Sequence, residues 1–258
     1  MLTVGDVKAF IDERAPFATQ ADFDNSGLLI GSPDTPVRGI HVALDVTERV
    51  LDEAESAGAN VLVTHHPLMF HPRSRLTEDD GEARLICRMI RGRMALISAH
   101  TCLDQAPGGI NDVLAGLCGL RGVTGEGYLR VGDLSEPVCG GALARRLEQT
   151  LHTVIRVMGD DSLSVRRLGV SSGAGSDGWQ EARAMGADAF LSGEIRHHHA
   201  LAAAQAGMLC LEAGHFATEE PGIFALADAL QNHLDALQYS VCVSKSRAGA
   251  YAFPPREM

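Results

Sequence analysis

An α/β fold built from two related domains with mostly parallel or mixed sheets is what this sequence predicts. Short apolar runs alternate with segments of helical period, as parallel strands and their crossover helices do. Several of those runs end in turns that carry histidine or glycine. The pattern also occurs twice. Gly58-Ala59-Asn60-Val61-Leu62-Val63-Thr64 resembles Gly186-Ala187-Asp188-Ala189-Phe190-Leu191-Ser192, and Ala99-His100 with Asp104 resembles Gly214-His215 with Glu219. Any two parallel α/β units look alike, but the matched His-x-x-x-carboxylate endings favour an internal duplication.

Taken in order, Thr3 with Asp6 three residues on is a capping box, and Val7, Phe10 and Ile11 give the first helix an apolar face that ends near Pro16. A polar turn from Asp22 leads into a short strand ending at Gly31. Strands are expected at 40–44, 60–64 and 94–99, with helices at 48–57 and 82–91 closed by Gly58 and Gly92. A long charged loop fills 68–84, and Gly108-Gly109 precede a helix over 110–117. The pattern restarts after about Gly125. Strands follow at 165–171 and 189–192, helices at 179–185 and 198–206, and a buried strand Met208-Leu209-Cys210-Leu211 that leaves at His215. Thr218 and Glu219 then open a helix carrying Ile223, Phe224, Leu226, Ala227 and Leu230. The domains implied are 1–125 plus 216–258, and 126–215.

The 258 residues suffice for one large core or two modest ones. No apolar run is long enough to span a bilayer, and the N-terminus reads as a helix start rather than a leader. A cytoplasmic protein is expected. The net charge of −11 argues against nucleic acid as the main partner, because phosphate binding needs basic surface. The six cysteines form no C-x-x-C pair and read as reduced core residues.

The chemistry gathers at strand ends. His65 and His66 follow one strand with Pro67 stiffening the exit, His100 and Asp104 follow a second, and His215 and Glu219 a third. His65, His66, Asp104, His215 and Glu219 make a mixed imidazole/carboxylate set, richer than one open zinc site takes. Two metals bridged by a carboxylate and a water fit the count better. Such ligands suit iron, manganese, zinc or nickel. His100 is expected beside the metals, and Glu194 and His198 are candidates to move protons at the substrate. The loop Gly173-Ala174-Gly175 lacks a dinucleotide fingerprint and reads as a tight turn. The run His197-His198-His199 is either a metal-binding stretch, with one of the three beside Glu194, or the solvated first turn of a helix, and Trp179 reads as packing rather than a base-stacking platform.

Asp24-Asn25 with Gly27-Leu28, Thr64-His65-His66-Pro67, His100 with Asp104, Gly109-x-Asn111-Asp112, Ser192-Gly193-Glu194, and Gly214-His215 with Thr218-Glu219 occur in one order. That set resembles the dinuclear metal-binding family named GTP cyclohydrolase 1 type 2, also called Nif-three-like, over nearly the whole chain. The resemblance implies that His65 and His215 hold one metal and His66 and Asp104 the other, with Glu219 bridging. It further implies two domains facing each other across the metals, assembled as a toroidal homohexamer. Phe23 stands where the family usually has tryptophan, a change expected to affect packing more than chemistry. The function implied is metal-dependent hydrolysis of a nucleotide, GTP included, or of a small heterocyclic or phosphorylated substrate. The alternative is a non-catalytic metal-binding or partner-binding protein.

Overall fold

The structure is a computed structural model and describes residues 1–249. The elements run α1 (Val4–Arg14), β1 (Gly27–Ile30), β2 (Ile40–Ala43), α2 (Glu48–Ser56), β3 (Val61–Thr64), α3 (Gly81–Arg91), β4 (Ala95–Ser98), α4 (Thr101–Gln105) and α5 (Ile110–Leu117). They continue with β5 (Arg121–Thr124), β6 (Arg130–Cys139), α6 (Gly140–Leu151), β7 (Arg156–Met158), β8 (Ser164–Ser171), α7 (Trp179–Ala184), β9 (Ala189–Ser192), α8 (His197–Gln205), β10 (Leu209–Glu212), α9 (His215–Ala236) and β11 (Val243–Lys245).

Two compact units share these elements. One comprises Met1–Pro107 together with the chain from Ile223, and the other comprises Gly108–Gly222. The first division therefore falls before α5, not near residue 125. The reason is that α5 packs on β6 and β8 of the second unit. The second division falls within α9, after Gly222. The portion of the expected first domain beyond residue 249 lies outside the described residues.

The first unit holds a sheet in the order β1-β4-β3-β2-β11, with β1 antiparallel and the other pairs parallel. One face, with Leu62 and Leu96, packs on Val50, Leu51 and Ala54 of α2 and Ile86 and Met89 of α3. These helices are amphipathic at 3.6-residue spacing, so burying that stripe positions them. Helix α1 begins with the expected box: the Thr3 side chain accepts from the Asp6 N–H, and the Asp6 carboxylate accepts from the Thr3 N–H at 2.8 Å.

The second unit's sheet runs β5-β6-β8-β9-β10-β7. Its strands alternate: Ala189, Leu191, Leu209 and Leu211 face Leu143 and Leu147 of α6, whereas Phe190 and Cys210 face Trp179 and Ala203. Trp179 is thus packing, as its sequence context implied. Cys102, Cys118 and Cys210 are buried, and burial pushes their thiols up to about 11, 12 and 11. They are core thiols, not thiolate ligands.

The two sheets repeat one plan. The series α1-β1-β2-α2-β3-α3-β4 is matched by α6-β7-β8-α7-β9-α8-β10, and the strand order β1-β4-β3-β2 by β7-β10-β9-β8. Ala43, Thr64 and Ser98 lie in one register, as do Ser171, Ser192 and Glu212. That register aligns Thr64 with Ser192, but it aligns His215 with Thr101 rather than with His100. The matched histidines of the sequence comparison are offset by one residue. Residues 126–164, which the sequence left without elements, supply β6, α6 and β7.

A polar lock ties β11 into the first unit. His41 on β2 is buried, with Nδ1 2.8 Å from Ser244 Oγ and Nε2 3.4 Å from Glu53 Oε2. Glu53 also accepts from the Ser246 hydroxyl at 2.5 Å and from the Arg247 N–H at 3.1 Å. Burial holds the imidazole below its ordinary range, against the pull of Glu53. Burial would raise the Glu53 carboxyl, but its bonds to Ser246, Arg247 and His41 outweigh that and lower it. With His41 depressed, the unfolded chain takes up a proton first on acidification, so stability falls as pH drops below about 6.5. Glu53 adds stability above the ordinary carboxylate pKa that is lost as pH falls through its lower folded value. The urea midpoint of metal-free protein should fall between about pH 7.5 and about pH 5.5, and less steeply in His41→Gln. Equal slopes in the two proteins would exclude His41 as the titrating group.

Candidate functional site

In the first unit, the carboxyl ends of β2, β3 and β4 carry Asp45, the His65-His66 pair and His100. Open α/β sheets bind ligands at such edges. Adjacent residues of a regular strand point to opposite faces, but β3 stops at Thr64. The Thr64 hydroxyl donates to the His66 carbonyl at 2.9 Å, bending the chain so that the His65 and His66 rings lie 4.9 Å apart. The His100 ring stands 5.1 and 5.4 Å from them. One nitrogen from each of the three lies within 4.8 Å of the others.

Each ring is set by the same device. His65, fully buried, has Nδ1 2.8 Å from the Ala99 carbonyl. A carbonyl only accepts, so Nδ1 carries the proton and Nε2 keeps the lone pair in the neutral ring. His66 directs Nδ1 to Asp45 Oδ1 at 2.7 Å, and His100 directs Nδ1 to Asp24 Oδ1 at 2.7 Å. Burial alone would raise the Asp24 carboxyl, but hydrogen bonds from His100 and Thr101 and the charge of His100 outweigh it. They hold it well below the usual carboxylate range. Asp104 is buried one turn into α4, with Oδ1 3.4 Å from His65 Nε2.

The second unit has its own cluster. His215 does not leave the strand directly, as the sequence reading had it. Gly214 at φ +85° intervenes after β10, and His215 is the first residue of α9, so the helix opens before Thr218 and Glu219. Four residues apart on one helix face, His215 Nε2 and Glu219 Oε2 are 2.9 Å apart, and Glu219 is buried. Nδ1 of His215 meets Glu194 Oε1 at 2.7 Å. Burial lifts the neighbouring Glu220 carboxyl to about 7.

The backbone beneath this pair excludes side chains. A Cβ on Gly173, at φ +56°, would lie 2.1 Å from Glu219 Oε1, so the loop 173–175 is the floor under Glu219. Gly193 holds the register place that His65 holds in the other sheet, and a Cβ there would meet the Gly173 carbonyl at 2.6 Å. Asn111 Oδ1 accepts the Ser172 N–H at 2.8 Å, and the Thr218 hydroxyl accepts the Gly173 N–H at 3.1 Å. These two side chains fix the floor.

Of the residues singled out from sequence, the first unit gathers His65, His66, His100 and Asp104, and the second gathers His215, Glu219 and Glu194. His198 is exposed on α8, its ring 4.3 Å from that of His199, and among the described residues it joins no cluster of close ligand atoms. Sequence reasoning missed Asp45, whose signal is its place just past β2, at the same sheet edge as His65. It also missed why Gly173 and Gly193 must be glycine.

A mixed donor set of imidazole nitrogens and carboxylates, each ring held at Nδ1, is chemistry that fits a divalent metal. The family profile of Duf34/NIF3 (NGG1p interacting factor 3) matches residues 2–249. The chain belongs to the Duf34/NIF3 family. Within the family, a Clostridium acetobutylicum protein named GTP cyclohydrolase 1 type 2 homolog is 30% identical over 265 residues, covering 98% of this chain and 99% of the relative. A Streptomyces coelicolor protein of the same name is 34% identical, covering 86% and 83%. Among solved structures, the Staphylococcus aureus protein SA1388 matches with a TM-score of 0.91 at 24% identity, covering 99% of both chains, a likeness of fold. Reduced HcgD from Methanocaldococcus jannaschii matches with a TM-score of 0.80 at 27% identity, covering 94% of this chain and 97% of that one. The chain is a mixed α/β protein with two sheets among its described residues. Among its described residues, no helix is long and apolar enough to cross a membrane.

Proposed function

We propose that this Duf34/NIF3 protein binds two divalent metal ions and hydrolyses a nucleotide or another small heterocyclic or phosphorylated substrate, with GTP the first to test. His65 and His215 hold one ion and His66 and Asp104 the other, with Glu219 bridging. The observation that carries this reading is the shared orientation of His65, His66 and His215. Nδ1 of each faces an oxygen acceptor, which leaves Nε2 as the ligand atom. Bound divalent ions lower the pKa of a water and so supply hydroxide near neutral pH.

The chain's own residues do the rest. Asp24, held ionised, keeps the Nδ1 proton of His100, so His100 Nε2 is the atom that takes or gives a proton at the substrate. Glu194 acts through His215, fixing that ring. The exposed His198 has no part in this scheme. The reading includes a cytoplasmic homohexamer, which sedimentation of the metal-loaded protein tests. Iron, manganese, zinc and nickel all suit the donors.

Protein purified without chelators and mildly reconstituted should contain about two metals per chain by elemental analysis. It should turn over GTP at a rate that Glu219→Gln abolishes. A metal content near zero would remove the proposal. Two metals with the same trace rate in both proteins would leave the non-catalytic metal-binding alternative.

A further inference from the structure

A pair of phenylalanines stands beside the histidine trio of the first unit, and packing does not account for it. Phe23 is 67% exposed. Its ring lies 6.1 Å from that of Phe70, tilted by 54°, and Phe70 in turn meets the His100 ring edge-on at 5.9 Å. The expectation that Phe23 matters mainly to packing is thus not what the structure shows. A phenylalanine left in water forgoes most of the roughly 1.5–3 kcal/mol that burial would contribute.

The pair is nonetheless held by the groups that orient the site. Asp24, next to Phe23, accepts a hydrogen bond from His100 Nδ1, and Asn25 donates from Nδ2 to the Met69 carbonyl at 2.6 Å, next to Phe70. Phe70 also walls an open cavity of about 310 Å3 whose lining includes His71, Arg73 and Arg75. That volume is at the lower end of what small-molecule sites offer. The arrangement is therefore an aromatic surface running outward from His100, with Arg75 beside it and Arg73 paired to Asp80 at 3.0 Å and to Glu82, which also lines the cavity.

We infer that Phe23 and Phe70 form a stacking platform for a planar heteroaromatic ring, which sets the substrate class of the metal site. This rests on the hydrolase reading above and narrows it: a substrate without such a ring would bind poorly. Stacking suits the observation because it needs an exposed π face and no hydrogen-bond partner, and it tolerates any flat base. Phe23 is a specificity residue in this account, and the proton and metal chemistry lies elsewhere.

The test is equilibrium binding to metal-reconstituted protein of three probes: GTP, guanosine and inorganic tripolyphosphate. Phe23→Ala is expected to weaken GTP and guanosine on the order of tenfold, whereas Phe23→Trp keeps or tightens both. Tripolyphosphate should bind the three proteins alike. Phe70→Ala should follow Phe23→Ala. Metal content, measured on the same samples, should stay at the wild-type value, and that number judges the metal-centre reading separately. The platform is overturned if Phe23→Ala binds GTP as wild type does. It is equally overturned if wild type shows no preference for ring-bearing probes, including the case in which none binds. A change in oligomeric state in Phe23→Ala, with GTP affinity intact, would assign the pair to chain association instead.

Discussion

Glu219→Gln protein is expected to lose both metals together. In the proposed centre Glu219 is the one side chain shared by the two ions, and its charge offsets part of their mutual repulsion. A neutral amide has one acceptor oxygen and cannot bridge in the same way. The loss should exceed the roughly 10–100-fold that removal of an outer-shell partner brings. Asp104→Asn provides the contrast: it should weaken chiefly one ion, leaving about one metal per chain at limiting supply. His100→Ala should keep both when metal is abundant. Elemental analysis after dialysis at graded metal concentrations reads all three. Glu219 is buried, so circular dichroism must first show that the Gln variant folds. A folded Glu219→Gln protein that retains two metals, or a His100→Ala protein that retains none, would reverse the roles assigned here.

Gly193→Ala should cost stability out of proportion to one methyl group. The added Cβ would lie 2.6 Å from the Gly173 carbonyl oxygen, 2.7 Å from Thr218 Oγ1 and 2.9 Å from the His215 Cα. Two of these three are backbone atoms, which cannot swing away. Overpacking in cores costs about 1–3 kcal/mol, and this site belongs at the upper end. At about 2–4 °C per kcal/mol for a chain of this size, Tm should fall on the order of 5–10 °C. Gly116→Ala is the control, because it adds a methyl group on α5 with no atom within 4 Å. There the helix gains propensity, and Tm should hold or rise slightly. Scanning calorimetry of metal-free proteins decides it. A Gly193→Ala protein melting with wild type would mean that the backbone beneath His215 is free to move.

Much of both units was legible in the chain, because periodicity and punctuation are local signals. β9 and α5 fall on the residues that alternation and flanking glycines marked, and Thr3 with Asp6 caps α1 as the box requires. The ligand residue types at strand ends were legible for the same reason. Which ring nitrogen each histidine offers was not. That depends on Ala99, Asp45, Asp24 and Glu194, partners supplied by other strand ends or by residues up to 76 positions away. Register was illegible too. His215 and His100 look matched by spacing, yet the hydrogen-bonded ladders set His215 against Thr101: each is the first residue of its helix, and His100, the cap before α4, aligns with Gly214. β6, α6 and β7 carry weak local signals: β6 holds Gly132 and Pro137, α6 opens on Gly140-Gly141, and β7 spans only three residues. Residue type and period belong to the chain alone. Tautomer, register and the need for glycine at 173 and 193 arise only when distant backbone closes around the same few ångströms.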